Sequence, residues 1–189
     1  MLERPALEVA PLLLGAVLHG RGVSVRLTEV EAYLGTADPG SHAYRGRTPR
    51  TATMFGEPGR LYVYRSYGIH ACANLVCSPV GEASAVLLRA GEVVRGLELA
   101  HDRRASARRD ADLARGPGRL TLALGITLGD DGAEFPLELP DEPSPHATGP
   151  RVGVSGPGGT AEYPWRFWIP GDPTVSPYRP GRPRVRAAR

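Results

Sequence analysis

The chain has 189 residues and a formal net charge of +3 at neutral pH, a length typical of one compact domain that buries its own core. Its two cysteines, Cys72 and Cys77, are too few for a disulfide framework. With only His70 nearby they lack the second pair of ligands that a zinc site needs, so a metal is not expected. All 23 basic side chains are arginines, which leaves no lysine amine to form a Schiff base with a substrate.

The start of the chain shows no pattern typical of export or of a membrane anchor. The longest apolar run covers residues 10–18 only, and residues 1–9 lack the basic region that begins a signal peptide. We therefore expect a cytoplasmic, bacterial protein with no membrane partner. Its positive charge permits association with the nucleoid without requiring it.

The order of the predicted elements favours a mixed fold. They are, in chain order, a helix over residues 7–18, a strand over 23–34, two strand segments over 61–67 and 69–77, a strand over 84–90, a helix over 92–104, a helix beginning near Pro117, and short strands over 150–155 and 165–170. Because strands outnumber helices and few strand-helix-strand units occur, the sequence predicts a single α+β domain over residues 1–178, built on a curved, mainly antiparallel sheet with flanking helices. The Pro/Arg-rich segment 179–189 is predicted to be a disordered tail, with contact to phosphate as the alternative.

Three of the seven tyrosines, Tyr62, Tyr64 and Tyr67, stand close together in the stretch LYVYRSYGIHACAN. A core strand whose rings pack inside the protein is one explanation. Polar residues at positions 65, 66, 70 and 74 interrupt the apolar run, however, and Gly68 indicates a tight bend. The stretch therefore predicts a hairpin that presents rings and polar groups to a partner.

Glu29 and Glu31 form an acidic pair on the predicted strand over 23–34. Strict alternation places Val23, Val25 and Leu27 on the same face as Glu29, Glu31 and Tyr33. Two carboxylates at this spacing lie roughly 7 Å apart along a strand, within the range of the acid and base pairs that hydrolyse glycosidic bonds. The alternative is that one or both pair with arginines from neighbouring elements.

A longer series of motifs resembles one known family. The segment TEVEAYLGTADPGSHAYRGRTPRTATMFGEPGRLYVYRSYGIHACANLV, followed by VLLRA, GPGRLTLALGI and RVGV, is similar to the 3-methyladenine (alkyladenine) DNA glycosylases over about residues 5–177. Members of that family flip alkylated or deaminated purines out of duplex DNA and hydrolyse the N-glycosidic bond without a metal or an organic cofactor. The resemblance implies a monofunctional DNA-repair glycosylase that binds damaged double-stranded DNA as a monomer.

The matching positions imply a role for each site residue. Glu31 corresponds to the general base that activates water, and Arg89 and the backbone carbonyl of Val152 to the groups that hold that water. The positions that match the pocket for the flipped base are Tyr33, His42 and Tyr64, with Asn74 as the residue that disfavours guanine by crowding its exocyclic amine. Glu29 has no assigned role beyond structural pairing or support of Glu31.

The remaining matches concern contact with DNA. Tyr67 corresponds to the wedge that a protruding hairpin inserts in place of the flipped base, and Ile69 is its apolar neighbour. Arg47 and Arg50, in the loop GSHAYRGRTPR, are expected at the DNA backbone. His70 stands where relatives often carry a bulkier aromatic or apolar residue, which predicts weaker intercalation.

Two other classes of protein stay open at this point. A non-catalytic nucleic-acid-binding protein would use the tyrosines as a stacking platform, and a nucleoside hydrolase would act on free nucleosides. The first leaves Glu31 without a purpose, because an acid weakens binding to DNA. The second leaves the arginine-rich loops and the wedge without one. The preferred lesion is also left open by the sequence.

Overall fold

A computed structural model describes residues 1–66 and 68–181 of the chain. Tyr67 and residues 182–189, which make up most of the predicted tail, lie outside the described residues. The predicted division of the chain between residues 178 and 179 stays a prediction.

Within the described part of the chain, three helices and nine strands form the fold. The helices are α1 (Ala6–Leu12), α2 (Leu97–Arg103) and α3 (Pro117–Leu124), and single 3-10 turns cover Gly35–Ala37, Ala52–Phe55, Asp110–Asp112, Leu128–Asp130 and Pro157–Gly159. The strands are β1 (Val17–Gly20), β2 (Val23–Tyr33), β3 (Leu61–Ser66), β4 (His70–Val76), β5 (Ala85–Arg95), β6 (Ala114–Arg115), β7 (Leu137–Glu138), β8 (Ala147–Gly149) and β9 (Arg166–Trp168). None of the described helices is both long enough and apolar enough to span a bilayer.

The strands form one antiparallel sheet. Its main path runs in the order β3, β4, β5, β2, β1, β7, while β6 pairs with β5, β9 pairs with β2, and β8 pairs with β9. The prediction of an α+β fold on a mainly antiparallel sheet is confirmed. β3 and β4 pair directly, with Ser66 opposite His70, and the protrusion of a hairpin toward DNA stays a prediction.

One face of the sheet packs against the helices. Val9 of α1 and Leu120 of α3 share a buried apolar cluster with Val86 and Leu88 of β5. α3 begins at Pro117, as predicted, where a proline lacks only an N–H that the first turn leaves unpaired. The helices leave the opposite face of β2 to β5 free for other side chains.

The face of β2 that enters the core changes along the strand. Strict alternation predicts that the odd-numbered residues from Val23 to Tyr33 share one face, and this prediction is wrong. The register with β5 shifts between Leu27 and Glu29, so that Thr28 is the extra residue of a β-bulge. Val30 and Ala32 therefore join Leu27 in the core, and the opposite face receives Glu29, Glu31 and Tyr33.

The predicted helix over residues 7–18 ends early, at Leu12. Gly15 adopts a left-handed backbone with φ of +87°. Glycine reaches this conformation without steric cost, and a helix cannot continue through it. The Gly15 N–H then donates a 2.8 Å hydrogen bond to the carbonyl oxygen of Leu27 on β2. The chain thus joins the sheet directly, and residues 17–20 form β1.

Two other predicted elements also differ. The predicted helix over 92–104 is shorter, because β5 continues to Arg95 and Gly96 turns the chain with a φ of +76° before α2 begins. Residues 150–155 form an irregular loop rather than the predicted strand. The N–H of Val152 in that loop bonds a side chain of β2 instead of a neighbouring strand.

Candidate active site

Five of the predicted site residues lie on the sheet face that the helices leave free. The register pairs Tyr62 with Asn74, Asn74 with Leu87, and Leu87 with Glu31, which forms one row across β3, β4, β5 and β2. The predicted residues on these four strands are Tyr64, Asn74, Arg89, Glu31 and Tyr33. The row connects an aromatic group at one edge to an acid near the centre of the sheet.

Glu31 is fully buried and firmly held. Its Oε1 accepts a 2.6 Å hydrogen bond from the backbone N–H of Val152, and its Oε2 accepts a 2.9 Å hydrogen bond from the Tyr33 hydroxyl. The Nε of Arg89 lies 3.4 Å from Oε1. The contact from Val152 is made by its N–H, whereas the role implied by the sequence concerns its carbonyl, and that role stays a prediction.

Arg89 is almost completely buried beside both glutamates. Its Nε donates a 2.8 Å hydrogen bond to Oε1 of Glu29, and its Nη2 donates a 3.3 Å hydrogen bond to the Ser176 hydroxyl. Burial opposes its charge, but Glu31 and Glu29 together raise the pKa of Arg89 above its ordinary value. Arg89 therefore stays cationic next to Glu31.

Glu29 pairs with arginines, as the alternative interpretation of the acidic pair predicts. Burial favours its neutral form, yet Arg89, Arg166 and Ser176 hold the pKa of Glu29 below its ordinary value. The two glutamates thus have different environments. Glu29 is enclosed by arginines, whereas Glu31 accepts its hydrogen bonds from neutral donors, the Val152 N–H and the Tyr33 hydroxyl.

An aromatic group stands beside the acid. The ring of Tyr64 lies 5.6 Å from that of Tyr62 in a stacked arrangement, and the His42 ring meets Tyr64 edge-on at 4.6 Å. His42 also lies within hydrogen-bond distance of the Tyr62 hydroxyl, 3.2 Å from its Nδ1. Although the His42 residue as a whole is exposed, desolvation of the ring and then the charge of Arg50 lower the pKa of His42 to about 4. The imidazole is therefore neutral at physiological pH.

Tyr33 is fixed by an ion pair that the sequence analysis missed. The guanidinium carbon of Arg151 lies 4.5 Å from the centre of the Tyr33 ring and 5.0 Å from that of Trp165. Arg151 and Asp38 are both fully buried, and Nη2 of the arginine donates a 2.7 Å hydrogen bond to Oδ1 of the aspartate. Burial, followed by the charge of Glu31, raises the pKa of the Tyr33 hydroxyl well above its ordinary value, so the hydroxyl remains a donor to Glu31.

Asn74 is buried and oriented by a 3.2 Å hydrogen bond from its Nδ2 to the carbonyl oxygen of Tyr62. Leu87 stands opposite Asn74 in the sheet register and is also buried. The run VLLRA does not identify Leu87 as a site residue, because an apolar residue gives no sign that the strand turns it toward the site.

Three of the four residues expected at DNA are described by the structure, and these are Arg47, Arg50 and Ile69. Tyr67 lies outside the described residues, while Ile69 on the connection after it is 76 % exposed. Arg47 and Arg50 are both exposed, and the Arg50 guanidinium lies 6.0 Å from the centre of the Tyr64 ring. The exposed His70 packs on α3, where a Cβ at Gly118 would come within 2.9 Å of the His70 Cβ.

A buried, hydrogen-bonded carboxylate can act as a base, and the neighbouring aromatic rings can stack on a flat ring. The family described as methylpurine-DNA glycosylase matches residues 1–173. The chain belongs to this family and is a DNA N-glycosylase of DNA repair, which confirms the resemblance found in the sequence.

Bacterial relatives are similar along nearly the full chain. A protein of Leifsonia xyli is 61% identical over 188 residues, covering 92% of this chain and 88% of its own. Proteins of Streptomyces avermitilis and Cutibacterium acnes are 55% and 52% identical, covering 97% and 93% of this chain and 92% and 96% of their own. All three are named as candidate 3-methyladenine DNA glycosylases.

Proposed function

We propose that the chain excises alkylated or deaminated purines from duplex DNA with a water molecule that Glu31 activates, leaving an abasic site. The observation that carries the proposal is the environment of Glu31. Each of its oxygens accepts one hydrogen bond from a fixed neutral donor, Val152 or Tyr33, and a carboxylate oxygen has room for a second. Glu31 can therefore be oriented by the protein and still accept a proton from water.

The hydrolysis requires little else from the protein. As the glycosidic bond breaks, the sugar develops positive charge, which a carboxylate stabilises while it removes a proton from the attacking water. Arg89, held at 3.4 Å from Glu31, balances the charge of the carboxylate before substrate binds. Arg89 and the Val152 carbonyl are proposed to position the water, and no metal or cofactor takes part.

The aromatic group supports the proposed preference for damaged purines. N-alkylated purines carry a positive charge that normal purines lack, and an aromatic ring stabilises a nearby cation by about 0.5–2 kcal/mol. Because His42 is neutral, with a pKa of about 4, it does not repel that charge. Tyr33, Tyr64 and His42 are proposed to hold the base, and the fixed amide of Asn74 to exclude the amine of guanine.

The target must leave the duplex before it can reach the sheet. Flipping a base costs a few kcal/mol of stacking and pairing, part of which an inserted side chain restores. Tyr67 and Ile69 are proposed to fill the vacated place, while Arg47 and Arg50 bind backbone phosphates. We propose that a monomer acts in this way on nucleoid DNA in the bacterial cytoplasm.

The test uses duplex oligonucleotides that each carry one lesion, among them 3-methyladenine, 7-methylguanine, hypoxanthine and an etheno adduct. After incubation with the protein, alkali cleaves every abasic site. We expect release of at least one lesion base and none from undamaged duplex. The same lesions offered as free nucleosides serve as the control, and hydrolysis of the nucleosides without action on the duplex would replace this proposal with a nucleoside hydrolase.

A further inference from the structure

Glu29 is the centre of a buried cluster that the proposed reaction does not use directly. Its carboxylate is 0% exposed. Oε1 accepts hydrogen bonds from Nε of Arg89 at 2.8 Å, from Nε of Arg166 at 2.8 Å and from the Ser176 hydroxyl at 3.0 Å. Oε2 accepts a 2.7 Å hydrogen bond from the Ser176 N–H. This network fixes Glu29 from three separate parts of the chain.

The two strands are shaped so that Arg89 meets Glu29. After the bulge at Thr28, the register shifts again between Glu29 and Val30, which leaves Arg89 as an extra residue on β5. Bulges of this kind change the direction of a side chain. Arg89 is therefore aimed between the two glutamates rather than straight across at one of them.

The Nε of Arg89 carries one hydrogen, and two carboxylate oxygens compete for it. Nε lies 2.8 Å from Oε1 of Glu29, with hydrogen-bond geometry. It lies 3.4 Å from Oε1 of Glu31, where the contact is an ion pair only. Glu29 thus takes the hydrogen, and Glu31 receives the positive charge of Arg89 without its Nε hydrogen bond.

This division matters because Oε1 of Glu31 already accepts the Val152 N–H. If the Nε hydrogen of Arg89 turned to the same oxygen, that oxygen would hold two donors and have no position left for water, and only Oε2 beside Tyr33 could still accept a proton. A direct, charge-assisted bond from Arg89 would also make Glu31 a weaker base.

We infer that Glu29 is a positioning residue for base excision, and that it acts by retaining the Nε hydrogen of Arg89 so that Glu31 stays free to accept a proton from water. The inference rests on the proposed function of Glu31. Ser176 and Arg166 help to hold Glu29 and Arg89 in this arrangement. The Ser176 hydroxyl contacts both Glu29 and Arg89, and Nη2 of Arg166 donates a 2.8 Å hydrogen bond to the Ser176 carbonyl.

The test compares wild type, Glu29→Gln, Glu31→Gln and the double variant on a lesion duplex from which wild type releases the base. The excision rate at saturating enzyme and the Kd for the same duplex are measured separately. For Glu29→Gln we expect an excision rate at least about tenfold lower, approaching the roughly hundredfold loss that a 1 Å misplacement causes, with Kd little changed. In the Glu31→Gln background the same substitution should have almost no further effect on the rate.

Asp130→Asn is the matched control. Asp130 is also a buried carboxylate, and it lies outside the site. Like Glu29, it accepts hydrogen bonds from an arginine, Arg21, and from the hydroxyl and the backbone N–H of one residue, Thr127. This variant should keep the wild-type excision rate. A purely structural role of Glu29 would lower the melting temperature without the selective loss of rate at unchanged Kd.

The outcomes separate the two proposals. Absence of base release by wild type from every lesion would overturn the proposed function, and this inference with it. If wild type is active, a normal rate in Glu29→Gln, or an equal loss in the presence and absence of Glu31, overturns the inference alone. Should Glu29→Gln not fold, Ser176→Ala decides, because it removes one hydroxyl from Glu29 and Arg89 and keeps every charge; an unchanged rate would then contradict the inference.

Discussion

Val152 and Glu31 are 121 positions apart in the chain, and the backbone N–H of the first donates a 2.6 Å hydrogen bond to Oε1 of the second. This contact attaches the irregular loop over residues 150–155 to the central strand β2. The loop also supplies Arg151, which lies against Tyr33, so the acid and its neighbouring ring are fixed by two consecutive residues. A substitution that disturbs this loop would therefore affect the orientation of the acid and of the ring together.

Glu31→Gln should keep binding to lesion duplex and lose base release by at least about a hundredfold, as expected when a general base is removed. The amide has nearly the same shape and can still accept the Val152 N–H, so the fold is preserved. Single-turnover excision and equilibrium binding to the same duplex measure the two effects. A near wild-type excision rate would show that Glu31 is not the base.

Tyr67→Ala tests the wedge, a role that rests on the family resemblance and on the exposure of the adjacent Ile69. The ring is expected to offset the cost of flipping, so its loss should weaken binding to a paired lesion. Excision from a lesion that is already unpaired should change far less. The two substrates are compared at the same enzyme concentrations, and equal losses on both would argue against a wedge.

The lowered pKa of His42 predicts how stability depends on pH. The unfolded chain takes up a proton at this residue below about pH 6.5, whereas the folded protein does so only near pH 4. Between these values the unfolded state binds more protons, so the free energy of unfolding decreases as the pH falls. The melting temperature of wild type should therefore drop more between pH 7 and pH 4.5 than that of His42→Gln.

The other histidines and acids are the same in wild type and in His42→Gln. The difference between the melting temperatures of the two proteins therefore reports the contribution of His42. Thermal unfolding followed by circular dichroism at several pH values gives the two curves. If the difference in melting temperature between wild type and His42→Gln stays constant over this range, the shift of the His42 pKa is contradicted.

Local patterns in the sequence predicted most of the long strands but not the contacts that support the site. The strand over residues 23–34 and the helix start at Pro117 agree with the structure because they depend on neighbouring residues. The bulge at Thr28 could not be predicted in this way, since it is defined by the register with β5. It separates the acids from the apolar face on which strict alternation placed them.

Contacts between residues far apart in the chain also could not be predicted from the sequence. Asp38 and Arg151 are 113 residues apart, and Glu29 and Ser176 are 147 apart. Neither pair has a local signature, because a single aspartate, arginine or serine is typical of a solvated surface. The resemblance to a family located Glu31 and Arg89, whereas the contacts that orient them required the folded chain.

The last prediction concerns the product, which should be an intact abasic site in an unbroken strand. Glycosylases that also cut the strand form an imine between a protein amine and C1′ of the sugar, usually with a lysine whose pKa is lowered. This sequence contains no lysine, and the guanidinium of an arginine stays protonated and is a poor nucleophile.

The arginines nearest the acid support the same conclusion. Burial opposes the charge on Arg89, yet the two glutamates raise its pKa, so it is even less able than a free arginine to lose a proton and attack the sugar. Water activated by Glu31 then remains as the nucleophile, and hydrolysis ends the reaction. Borohydride added during turnover reduces any imine to a stable adduct. We expect no adduct between protein and DNA and no nicked strand before alkali treatment, and either product in good yield would overturn the assignment of a monofunctional enzyme.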